Sequence, residues 1–150
     1  QQPAPDFTLP DDTGTPRSLS AEAGKWVVVY FYPKDDTPGC TKEACAIRDI
    51  YNDFADRGVT VFGVSKDSVA SHAKFKEKYQ LPFSLLSDES GDMIVAYGAW
   101  QEKSSFGKTS MGIVRMSYLI DPEGKVAKIY PKVAPTEHAH EILADLAELQ

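Results

Sequence analysis

Two thiols, Cys40 and Cys45, stand five positions apart inside "PKDDTPGCTKEAC" (Pro33–Cys45), and no other cysteine occurs in the 150-residue chain. A thiol can serve as nucleophile, redox carrier or metal ligand, and each use needs its own setting. Pro38 suits the first turn of a helix, where its missing N–H costs nothing, and Gly39 lets backbone approach a ligand closely. Cys40 then falls among the unpaired N–H groups at the positive end of that helix. Such a place favours thiolate over thiol, and the thiolate is the nucleophile. Lys34 and Lys42 strengthen this field, whereas Asp35, Asp36 and Glu43 oppose it.

Helical phase separates the two sulfurs. At about 100° per residue, Cys40, Ala44, Ile47, Tyr51 and Phe54 share one arc and should face a sheet. Cys45 falls with Asp49, Asn52 and Asp56 on the polar side. On an intact helix the two Cα atoms would lie about 8.6 Å apart, and a disulfide needs roughly 4.4–6.8 Å. The pair therefore reads as a transient bond coupled to local unwinding, not as a permanent bridge. A buried cysteine is most often only a small hydrophobe, but the helix start and the second thiol argue against that here. Zinc is a poor fit, because CxxxxC lacks a second ligand pair. "HAH" (His138, His140) reads as a solvated face of the last helix, and His72 as a structural or exposed residue.

These residues need elements to hold them. "PAPDFTLPDDTGTPRSLS" predicts a small N-terminal hairpin around its "DDTG" turn. "KWVVVYFYP" is a continuous β-branched and aromatic run, the pattern of a central strand buried on both faces. A helix is predicted from Pro38 to Arg57, a strand over Val59–Ser65 and an amphipathic helix in "SVASHAKFKEKYQ". A short strand in "FSLLSD" and a short helix in "GDMIVAYGA" follow. Trp100–Ile113 reads as a polar, glycine-bearing loop, "RMSYLIDPEGKVAKIYP" as a hairpin turning at Asp121–Gly124, and "EHAHEILADLAELQ" as a closing helix. That order describes one domain over 1–150, an α/β thioredoxin-like sandwich whose central mixed sheet is flanked by helices. In open α/β sheets chemistry sits beyond the carboxyl ends of the strands, and Cys40 lies just past one.

Bulk composition narrows the partners. A formal charge of −6 leaves no basic footprint, so nucleic acid and anionic membrane are excluded as first partners. "WVVVYFY" is too short to span a bilayer, and 42% hydrophobic residues suffice for one core.

"PKDDTPGCT" carries the pattern Pro-x-x-x-Thr-x-x-Cys and resembles the peroxiredoxins. With its second cysteine, "TPGCTKEAC" is similar to the bacterioferritin comigratory protein, or peroxiredoxin Q, class. "APDFTL", "LLSDE" and "GIVRMSYLID" extend the resemblance over nearly the whole chain, with Ile47 a small departure where the class more often carries Phe. The resemblance implies that Cys40 is the peroxidatic cysteine, that Thr37 orients peroxide and that Pro33 excludes water. It also implies that Arg115 completes the pocket and that Cys45 resolves the sulfenic acid as an intramolecular disulfide. The Gly39 and Cys40 amides would add donors next to Pro38, and Trp100 and Phe106 would meet bulky peroxides at the mouth. The implied activity is reduction of hydrogen peroxide and organic hydroperoxides, with thioredoxin or glutaredoxin as reductant and no metal, flavin or haem cofactor. A monomer in the bacterial cytoplasm completes the expectation. Taken alone, Arg115 would read as a surface ion pair. Two rivals fit less well: a thioredoxin-type oxidoreductase normally needs CxxC, and a copper chaperone needs closer cysteines and a placed histidine. A peroxide-sensing relay would use the same thiol chemistry and is not separable on sequence.

Overall fold

A computed structural model describes residues 2–105 and 107–150, without the side chain of Ser105. The chain begins with a hairpin of β1 (Thr8–Pro10) and β2 (Pro16–Ser18), followed by the long strand β3 (Trp26–Phe31). Helices α1 (Pro38–Asp49) and α2 (Tyr51–Asp56) lead to β4 (Val59–Ser65), and α3 (Val69–Tyr79) leads to β5 (Ser84–Ser87). After α4 (Asp92–Ala96) come β6 (Trp100–Ser105), β7 (Lys108–Ile113), β8 (Met116–Ile120), β9 (Val126–Tyr130) and α5 (His138–Leu149).

The central sheet has the order β5-β4-β3-β8-β9. β3 runs parallel to β4, and β4 to β5, so each junction needs a helical crossover. β8 runs antiparallel to β3 with Phe31 opposite Met116, which sets the start of β8 beside the carboxyl end of β3. This register governs the site, because the residue just before β8 is Arg115.

Period-two alternation divides β3 between two cores. Val28, Tyr30 and Tyr32 face a layer built by Cys40, Ala44 and Ile47 of α1, Phe54 of α2, Phe75 of α3 and Ile142 and Leu146 of α5. Val27, Val29 and Phe31 face the other layer, with Phe7 near the hairpin, Met93 and Ile94 of α4, and Ile113. Burial on both faces explains why "VVVYF" shows no polar alternation.

Three features differ from the sequence reading. The helix predicted over 38–57 breaks at Ile50 (φ −120°, ψ 20°). Ile50 and Tyr51 pack against the core there, a tertiary cause with no local glycine or proline to announce it. Trp100–Ile113 is a hairpin, not a loop. Its β7 residues Lys108–Met111 are exposed, so no apolar alternation marks it as strand. His138 is buried, not solvated; its Nε2 lies 2.8 Å from Ser117 Oγ and its Nδ1 3.1 Å from Glu141 Oε1. Burial lowers its pKa despite the Glu141 carboxylate. Of the two alternatives for His72, structural or exposed, the structure shows the first: it is wholly buried at 0% exposure and belongs to a polar network described below.

Candidate active site

The site forms where β3 ends and α1 begins. Pro33 makes a half-buried bend, and Thr37 is the extended N-cap of α1 (φ −100°, ψ 155°). Its hydroxyl does not cap the helix; it donates to the Lys34 carbonyl at 2.9 Å. Pro38 stands exposed in the first turn, and the first helical bond runs from Thr41 N–H to the Thr37 carbonyl at 2.8 Å. The N–H groups of Gly39 and Cys40 precede that bond and lack intrahelical acceptors. Cys40, the third residue of α1, points into the core at 1% exposure.

Arg115 arrives from the opposite direction in sequence. Its Nη2 donates to Cys40 Sγ at 3.0 Å and its Nη1 to Glu43 Oε1 at 3.1 Å. A guanidinium is always charged and holds its donors in a rigid fork, so it fixes positive charge and direction at the sulfur together. Gly39 makes this approach possible. A Cβ there would lie 2.7 Å from Arg115 Nη2 and 3.4 Å from its Cζ.

Glu43 is the residue that sequence reasoning undervalued. One helical turn beyond Cys40 it shares the buried face, at 1% exposure. Burial raises its carboxyl from an ordinary 4.5 to about 7, against the lowering effect of Arg115. Its Oε2 and the hydroxyl of Tyr30 are both buried without a hydrogen-bond partner among the described residues. Burial raises the Tyr30 phenol well above its ordinary value, and the charges of Glu43 and Cys40 add to the effect. The spacing Cys-x-x-Glu at a helix start was the available signal; the sequence reading weighed only the charge of Glu43, which opposes a thiolate.

The remaining expected positions divide. Cys45 lies half-buried within α1, and both thiols are free. Trp100 packs against the core layer on the face of the sheet opposite Cys40, with Lys66 Nζ 4.9 Å above its ring. The structure therefore does not bring Trp100 to Cys40, because the β6–β7 hairpin rises from the other layer. Phe106 lies outside the described residues. Asp35, Asp67 and His72 bring potential metal-ligand atoms within 4.8 Å of one another, but hydrogen bonds already engage those atoms.

Comparisons with known proteins bear on the chain as a whole. The profile of the AhpC/TSA family matches residues 1–129. A putative peroxiredoxin bcp of Coxiella burnetii is 50% identical over 145 residues, covering 97% of this chain and 96% of the relative. Peroxiredoxin Bcp of Bacillus subtilis is 47% identical over 148 residues, covering 99% and 94%. Among solved structures, a mutant of peroxiredoxin Q from Xanthomonas campestris superposes with a TM-score of 0.92 at 40% identity, covering 96% of this chain and 92% of that one. A bacterioferritin comigratory protein from the same organism, described through its alkyl peroxide reduction activity, gives 0.91 at 39% identity, covering 95% and 91%.

Proposed function

The chain belongs to the AhpC/TSA family and is a peroxiredoxin-type peroxidase with a thioredoxin-like fold; from that premise we propose that it works as an atypical two-cysteine enzyme, with Cys40 peroxidatic and Cys45 resolving. The observation that supports Cys40 as peroxidatic is the 3.0 Å bond from Arg115 to its Sγ at the start of α1, and Cys45 is the one other thiol, free on the same helix.

In the first step the Cys40 thiolate attacks one oxygen of a hydroperoxide. An S–O bond forms as the O–O bond breaks, sulfur is oxidised to sulfenic acid, and the departing oxygen takes a proton to leave as water or an alcohol. Arg115 and the free N–H groups of the first turn stand where negative charge develops on the leaving oxygen. Thr37 and Pro33 bound the approach, orienting peroxide and limiting water. In the second step the Cys45 sulfur attacks the sulfenic sulfur, the S–O bond breaks and water leaves.

Both cysteines sit on one helix, where they are about 8.6 Å apart at Cα, so the first turns must open for the disulfide to form. No side-chain cap restrains the start of α1, and lacking one leaves a helix about 1 kcal/mol easier to fray. A dithiol protein, thioredoxin or glutaredoxin, then attacks the disulfide and returns both thiols. Organic hydroperoxides join hydrogen peroxide as substrates, in line with the alkyl peroxide activity described for the Xanthomonas campestris relative. The setting is a reducing compartment such as the bacterial cytoplasm.

Stopped-flow peroxide reduction tests the assignment. Cys40→Ser should consume peroxide no faster than buffer, and retained activity would reject Cys40 as nucleophile.

A further inference from the structure

A buried polar network lies directly upstream of the site. Asp35 and His72 are both buried, with His72 Nδ1 2.8 Å from Asp35 Oδ2. The other ring nitrogen, Nε2, meets the Leu86 carbonyl at 2.9 Å. A carbonyl only accepts, so Nε2 carries a hydrogen. Tyr32 donates its hydroxyl to Asp35 Oδ1 at 2.6 Å, and Ser71 donates to Oδ2 at 2.8 Å. The backbone N–H of Asp35 donates to Asp67 Oδ2 at 2.8 Å, and Ser65 donates to the same oxygen at 2.6 Å.

Asp36 extends the attachment outward. It adopts a left-handed φ of 56°, rare for a non-glycine residue, and its carboxylate meets Lys78 Nζ at 2.7 Å and Tyr79 Oη at 2.9 Å. The segment just before the helix is thus fastened to α3 and to the carboxyl ends of β4 and β5. None of these bonds reaches α1. This network ends at Thr37–Pro38, and beyond it the start of α1 is held instead by Arg115 at Cys40 and Glu43.

A buried polar network whose members are hydrogen-bonded to one another holds them in one geometry. Asp35 stands two residues from Thr37, whose hydroxyl is itself directed by the Lys34 carbonyl. Tyr32 stacks on Tyr30 with ring centroids 5.5 Å apart, and Tyr30 lies in the field of Glu43 and Cys40.

We propose that Asp35, clamped by His72, Tyr32 and Ser71, is a positioning residue for the peroxide step: it holds Pro33–Thr37 against α3 while the first turn of α1 opens and recloses. This rests on the two-cysteine cycle proposed above. Helix opening then begins at Pro38, and the substrate-facing loop stays in place through each turnover.

The test separates the two chemical steps by stopped-flow on reduced protein: second-order oxidation of Cys40 by hydrogen peroxide, then first-order disulfide formation. Asp35→Asn should slow oxidation about tenfold or more, because small misplacements at a reacting centre are costly, and leave disulfide formation within about twofold of wild type. Tyr32→Phe, which removes one bond without disturbing shape, should slow oxidation less but in the same selective manner. If Asp35→Asn does not fold, Tyr32→Phe decides the matter. Unchanged oxidation in the folded variants overturns the proposal. An equal fall in both steps also overturns it, because that is general loosening. A wild-type protein without Cys40-dependent peroxide consumption would instead reject the peroxidase cycle itself.

Discussion

Replacing Glu43 by glutamine tests the electrostatics of the site through stability, independently of turnover. In the folded chain the Glu43 carboxyl titrates near 7, raised by burial from an ordinary 4.5. Below about pH 4.5 it is protonated in both folded and unfolded chains and contributes no pH-dependent term. Between the two values the folded chain holds a proton that the unfolded chain has released. Stability from this group therefore falls as pH rises, and the full cost is present above about pH 7. A rise of roughly 2.5 units at 1.36 kcal/mol each is about 3 kcal/mol. The glutamine amide does not titrate but keeps an oxygen for the Arg115 Nη1 bond. The stability of Glu43→Gln relative to wild type should therefore climb by about 2 to 3 kcal/mol from pH 5 to pH 8. Urea unfolding of the reduced proteins, followed by circular dichroism at several pH values, measures that gap. A gap that stays flat would show that Arg115 fully offsets the cost of burial. A gap that closes with rising pH would show that the Arg115–Glu43 ion pair outweighs it, and either result refutes the reasoning.

Three further outcomes follow from the geometry. Cys45→Ser should react once with peroxide and accumulate a sulfenic acid that dimedone traps; full turnover with thioredoxin in that variant would remove Cys45 from the cycle. The disulfide form should show less helical circular dichroism than the dithiol form, because α1 must open; identical spectra would contradict the opening. Gly39→Ala should place a methyl 2.7 Å from Arg115 Nη2 and slow peroxide reduction roughly tenfold to a hundredfold with little change in melting temperature. Wild-type rates in that variant would show that Arg115 can give way at no cost.

Much of the fold was readable because its signals are local. The apolar run Trp26–Phe31, the turn Asp121–Gly124 and the phase of Cys40, Ala44, Ile47 and Phe54 all mark what they become. The break at Ile50 and the hairpin of Trp100–Ile113 were not readable, because packing causes the first and the second reaches the core only at its ends, Trp100 and Ile113, leaving no apolar alternation. His138 looked like part of a solvated face only because its partner, Ser117, lies 21 residues away on another strand.

The sequence by itself determined where the two thiols sit and the helix that carries them. Pro38, Gly39 and Cys40 are adjacent, and the helical period alone sends Cys40 inward and Cys45 off that face. Tertiary structure decided what surrounds the sulfur. The antiparallel pairing of β3 with β8 carries Arg115 across 75 positions to within 3.0 Å of Cys40. The same enclosure makes Glu43 a buried carboxyl bonded to that guanidinium. Burial and long-range register depend on the closed sheet and on both cores together, so no local stretch of residues could encode them.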